Sequence, residues 1–166
     1  MNVGNRVTSD HQLVRLLQIG IVLEEVVEAR ASNHYQSLAT GNEFEPDPAV
    51  QALLTDANEE SAEHRERLEE LITQLDAETI PFNRIQQLVT QRYSQSKPED
   101  FDDILYDQLH GEESAYKFYD DLITAIENSD TAFSIDRDRL IATLAEIREE
   151  EAEGVEEVTA VMSEDQ

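Results

Sequence analysis

The chain has 166 residues, a formal net charge of −26, a pI near 4.2 and no cysteine. That charge argues against nucleic acid as a ligand, since phosphate contact needs clustered Lys and Arg. The lack of cysteine removes disulfides, thiolate catalysis, zinc ribbons and iron–sulfur clusters together, so any metal must be held by oxygen and imidazole.

Charge of this size usually accompanies disorder. Here 39% of the residues are hydrophobic, and they recur with helical spacing through most of the length, which predicts a single domain with a real core. Lys occurs only at positions 97 and 117. An acidic surface with scarce Lys suits a salt-rich cytoplasm, where screening removes self-repulsion; a cationic partner is the alternative. No apolar run is long enough for a bilayer and the N-terminus lacks a signal-peptide layout, so a cytoplasmic protein is expected.

In chain order, residues 1–8 read as a flexible tail, and 9–163 as the domain. Ser9 or Asp10 caps a first helix running to about Thr40, with Leu13, Leu16, Leu17, Ile21, Val27 and Ala31 on its inner side. Gly41-Asn42 stops it. Asp47-Pro48 is an N-cap and first-turn proline for a second helix reaching about Leu75, striped by Leu53, Leu54, Ala57, Ser61, His64, Leu68, Leu71 and Ile72. Asp76 to Pro81 breaks the chain, a shorter helix is expected over Phe82–Tyr93, and Ser94 to Lys97 turns. Pro98-Glu99 opens a third long helix to about Glu127. Ser134 or Asp136 caps a fourth, to about Met162, striped by Leu140, Leu144, Ile147, Glu151, Gly154, Val158 and Val161. No stretch reads as strand. The expected class is all-α, an antiparallel four-helix bundle with a short extra helix between the second and third.

The halves repeat. Glu28-x-x-Ala31-x-x-x-Tyr35 in the first helix matches Glu112-x-x-Ala115-x-x-x-Tyr119 in the third. Glu59-Glu60-Ser61-Ala62-Glu63-His64 in the second lies beside Glu149-Glu150-Glu151-Ala152-Glu153-Gly154 in the fourth. Positions i, i+3 and i+7 share a helix face, and these faces are otherwise apolar. A carboxylate inside such a stripe costs several kcal/mol unless it is paired or binds metal. Placing the four stripes face to face turns Glu28, His64, Glu112 and Glu151 inward, with Glu60 one turn before His64. Glu24 and Glu25 are read as surface residues or supports outside that set. Carboxylates from two helices plus Glu-x-x-His from two others are how bundles hold paired irons or manganeses.

With this constellation the sequence resembles the ferritin-like superfamily, and within it the rubrerythrin-type diiron bundles, over about residues 10–162. The resemblance implies metal ligation by Glu28 and Glu112, and by the second and fourth helices at Ser61/His64 and Glu151/Gly154. The second helix thus keeps the histidine and lacks the glutamate, while the fourth keeps the glutamate and lacks the histidine. Glu60 is the candidate substitute carboxylate. The resemblance further implies iron, up to two per chain, or manganese, with ferrous iron oxidised by peroxide or dioxygen. Tyr35 and Tyr119 would stand beside the ligands. Two other readings are a mini-ferritin-type storage oligomer, suggested by the short middle helix and by Asp56 with Glu60, and a metal-free bundle acting as an interaction module. A homodimer or larger homo-oligomer is expected, through Leu23, Val26, Leu68 or Leu71.

Overall fold

The computed structural model describes residues 7–40, 48–79, 81 and 101–164, without the side chains of 32–40, 101–107 and 164. Four long helices make up nearly all of it: α1 (Asp10–Thr40), α2 (Pro48–Thr73), α3 (Phe101–Glu127) and α4 (Arg137–Glu164). No strand occurs among the described residues. The expected helix over Phe82–Tyr93, the Asp47 cap and the Pro98 start lie outside the described residues.

The helix starts follow local chemistry. Ser9 Oγ accepts the Gln12 N–H at 3.1 Å, while Gln12 Oε1 reaches back to the Thr8 N–H at 2.8 Å, the reciprocal logic of a capping box. At the start of α4, Asp136 Oδ1 accepts the Asp138 N–H at 3.1 Å. Ser134 ties segments together instead of capping. Its hydroxyl donates to Asp10 Oδ2 and accepts from the Asp76 N–H. Val7, placed in the tail by its sequence position, is buried. Its N–H donates to the Ala125 carbonyl, and its carbonyl accepts from Ser129 Oγ. Arg137 donates to the Ile126 and Ser129 carbonyls, which closes the C-terminal end of α3.

The helices pack α1 on α2 and α3 on α4, and the two pairs meet through α1 with α3 and α2 with α4. Two apolar clusters result. The larger joins Leu13, Leu17 and Ile21 of α1 to Leu68, Leu122, Ile126, Leu140 and Leu144. The smaller, further along α1, gathers Ala31, Leu53, Leu54, Ala57 and Val158. Between them lies the polar layer described below. Three of the four residues expected to pair subunits are corrected by this packing. Leu23, Leu68 and Leu71 are buried within the subunit, because α1 and α2 each pack against two other helices, and Val26 packs at the edge of the larger cluster. Tyr116 is the one large exposed hydrophobic among the described residues.

Gly20 sets how closely α1 approaches its two neighbours. A Cβ there would stand 3.2 Å from both Leu68 Cδ1 and Phe118 Cε1. Gly20→Val should therefore destabilise the bundle by about 1–3 kcal/mol through overpacking, read as a lower urea midpoint with an unchanged slope. A neutral or stabilising result would mean the helices separate freely at this level.

Candidate metal centre

Each helix contributes one ionisable side chain to the layer between the apolar clusters: Glu24 from α1, His64 from α2, Glu112 from α3 and Glu151 from α4. All are buried, with exposures of 0%, 0%, 4% and 3% in that order. The sequence folds this way because each residue lies on its helix's apolar stripe. Helix periodicity and the neighbouring leucines and isoleucines carry it inward.

His64 is the hub. Its Nδ1 lies 3.0 Å from Glu151 Oε1 and 3.3 Å from Glu24 Oε1. Glu24 Oε1 also accepts the Tyr119 hydroxyl at 2.6 Å, whereas Glu24 Oε2 is buried with no hydrogen-bond partner. Glu112 accepts from Gln108 Nε2 at 3.3 Å, and its carboxyl group neighbours that of Glu151. Gly154 makes room for this carboxylate: a Cβ there would fall 2.5 Å from Glu112 Oε2. The space that a side chain at 154 would occupy is filled by Glu112. Ligand atoms of Glu24, His64 and Glu151 all lie within 4.8 Å of one another, close enough for one cation.

The other ring nitrogen of His64 faces a second group. Nε2 is 2.6 Å from Glu150 Oε2 and 3.7 Å from Glu60 Oε1. Arg67 grips the same Glu150, with Nη1 3.2 Å from Oε2 and Nη2 3.3 Å from Oε1, and also bonds Glu63 at 3.0 Å. Glu60 and Glu150 are half-buried, so this group lies nearer solvent than the first.

Three buried carboxylates and one imidazole cannot all be ionised without compensation. Two neighbouring buried carboxyl groups do not both ionise cheaply, so the protonation of Glu112 and that of Glu151 are linked. Both are pushed up, Glu151 strongly: burial is the largest cause for each, and the charge on Glu24 adds to it. Burial opposes a charged His64, yet hydrogen bonding and charge from Glu24, with Glu150 and Glu60, outweigh it and hold its pKa at about 9. Burial, then repulsion from Glu112, raises Glu60 to about 8. Burial and the neighbouring Glu24 and Glu151 raise the Tyr119 phenol well above its usual value, so it stays a neutral donor. The centre therefore holds protons that a bound cation would displace.

Of the residues expected from sequence, His64, Glu112 and Glu151 come together here, and Glu60 stands on the outer side of His64. Glu28 does not join them. It is half-buried and paired with Arg65 Nη1 at 2.9 Å. Glu24 occupies the inward position on α1 instead. The two fall seven and eleven residues after Leu17, each within about 20° of it on an ideal helix, so periodicity alone does not separate them. The Glu-x-x-Ala-x-x-x-Tyr repeat favoured Glu28, one turn too far along. Tyr119 stands beside the ligands as expected, while the Tyr35 side chain lies outside the described residues. Glu150 and Arg67 carry no sequence signal beyond their charge.

The shifts set a pH dependence in chelator-treated protein. The stabilisation from His64 is complete below about 6.5 and lost as the pH climbs through about 9. Glu60 folds most favourably as the neutral acid, so ionisation through about 8 acts in the same direction. Melting temperature in high salt should fall as pH rises from 6.5 to 9, and His64→Gln should flatten that slope. A profile that is flat in the parent protein would show that the buried network holds no such protons.

Compared with known proteins, the chain matches no protein-family model, no curated protein and no solved structure, so a functional reading rests on the chemistry of this centre.

Proposed function

We propose that the chain is a metal-binding, ferritin-like bundle in which Glu24, His64, Glu112 and Glu151 take a hard divalent cation, iron or manganese. Antiparallel neighbours belong to this reading. Gly20 and Asn58 support that sense for α1 and α2, since Gly20 approaches Leu68 while Glu28, further along α1, meets Asn58, earlier in α2. The observation that carries the metal is Glu24 Oε2: a fully buried carboxylate oxygen with no partner, in a layer where one imidazole faces three carboxylates. A buried carboxylate oxygen left without a partner is costly, and a cation removes the cost.

The donor set is oxygen-rich with one imidazole, which suits Mn(II) and Fe(II) better than thiophilic ions. Tyr119 holds Glu24 in place, Gln108 holds Glu112, and Gly154 leaves the room in which Glu112 sits. Leu17, Ile21, Leu68, Leu122 and Leu144 on one side, with Leu54 and Val158 on the other, exclude water from the layer. In its fuller form the reading is oxidation of ferrous iron by peroxide or dioxygen, the iron entering as substrate and supplying the electrons.

A second reading has its own support. Protonated His64 with the Glu112–Glu151 pair partly neutralises itself, as a metal-free interaction bundle would require. Metal content separates the two. Purified protein in high salt, loaded anaerobically with Fe(II) or Mn(II), should retain stoichiometric metal and melt at higher temperature, and Glu151→Gln should lose both. Ion at a hundredfold excess over Kd adds about 2.7 kcal/mol of stability. Absence of retained metal after loading would leave the metal-free reading.

Gly154→Ala gives a sharper test. On an ordinary helix this change stabilises by up to about 1 kcal/mol. Here the new methyl group displaces the flexible end of Glu112, so the protein should stay folded while cation affinity drops about tenfold or more, by titration. Undiminished affinity would remove Glu112 from the centre.

A further inference from the structure

The geometry points to His64 as a relay between two mutually exclusive cation positions: an outer capture position formed with Glu60 and Glu150, and the inner centre formed with Glu24 and Glu151. This rests on the reading that the inner centre binds a divalent cation. One ion resides per chain, and it arrives through the outer group.

The argument starts from the imidazole. A neutral ring has one nitrogen lone pair and one N–H. Nδ1 faces Glu24 and Glu151, while Nε2 faces Glu150 and Glu60. Both groups of ligand atoms are close enough to hold an ion. Ligation through Nδ1 leaves Nε2–H to donate to Glu150, and ligation through Nε2 leaves Nδ1–H to donate to Glu24 or Glu151. Each state satisfies the ring on both sides, and no neutral ring serves two ions at once.

The outer group is built for passage. Glu60 and Glu150 reach solvent, whereas Glu24 and Glu151 do not. Glu60 Oε1 lies shielded without a hydrogen-bond partner. Arg67 covers Glu150 with both terminal nitrogens and has an alternative partner in exposed Glu63. An incoming cation competes with the guanidinium for Glu150, and Arg67 can withdraw to Glu63. Arg67 is thus a counter-ion standing where the cation enters, and Glu60 and Glu150 are positioning residues for capture.

The test uses the full-length chain, with Mn(II) as the probe, followed by the loss of its free-ion EPR signal at equilibrium and after rapid mixing. The parent protein should bind one tight ion. Glu150→Gln should slow loading about tenfold while leaving the final affinity close to the parent's. Arg67→Gln should speed loading. Glu149→Gln, an exposed neighbour with the same change in charge, should leave the rate alone, which separates capture from general attraction. Circular dichroism confirms that each variant is folded. Two tight ions per chain, or loading rates that respond equally to Glu149→Gln and Glu150→Gln, would overturn the relay while keeping the metal centre. No Mn(II) or Fe(II) binding by the parent would overturn the metal centre itself, and the relay with it.

Discussion

The structure depends on how the bundle tolerates three carboxylates around one imidazole in its interior. Glu24, Glu112 and Glu151 have little or no contact with solvent, and charges so placed are expensive unless neutralised. Every notable local feature answers that demand. Tyr119 and Gln108 donate to the carboxylates, burial pushes Glu112 and Glu151 towards their neutral forms, and the neighbouring carboxylates raise the pKa of His64. One oxygen, Glu24 Oε2, is left over. A buried layer with an unpartnered carboxylate oxygen, among the described residues, has the electrostatics that would suit a cation.

The layer also shapes the fold. It splits the apolar interior into a large cluster and a small one, so the bundle's register has a reason beyond shape. Sliding α3 or α4 by one turn would withdraw its carboxylate from the layer and put no other in its place. A polar layer is therefore a specificity device as well as a site, the use of buried polar groups best attested in coiled coils. Gly154 belongs to the same logic. Where a side chain would have completed a Glu-x-x-His spacing, its absence admits a carboxylate from the facing helix. The layer is thus arranged around that glycine, with a carboxylate oxygen standing where a side chain at 154 would lie.

The acidic surface and the centre act on each other. With Lys+Arg 12 against Asp+Glu 38, the whole molecule attracts cations, and salt screens that attraction. Arg67 stands out against this background. It is one of few basic side chains, and it is spent on the carboxylate that touches the outer nitrogen of His64.

The sequence by itself determined the four long helices and their apolar stripes, narrowed two helix starts to Ser9 or Asp10 and to Ser134 or Asp136, and placed His64, Glu112 and Glu151 inward. These follow from the period of the α-helix and from capping chemistry, which are local properties. Glu24 against Glu28 was beyond it, because both lie within about 20° of the same stripe. Only the level at which α1 meets α2 and α3 decided between them, and that level gave Glu24 the Tyr119 hydroxyl and gave Glu28 Arg65. The burial of Leu23 on α1 and of Leu68 and Leu71 on α2 was likewise a matter of each helix packing against two neighbours. So was the place of Glu150 on the second face of His64, since that residue lies 86 positions away and no spacing along one helix encodes the contact.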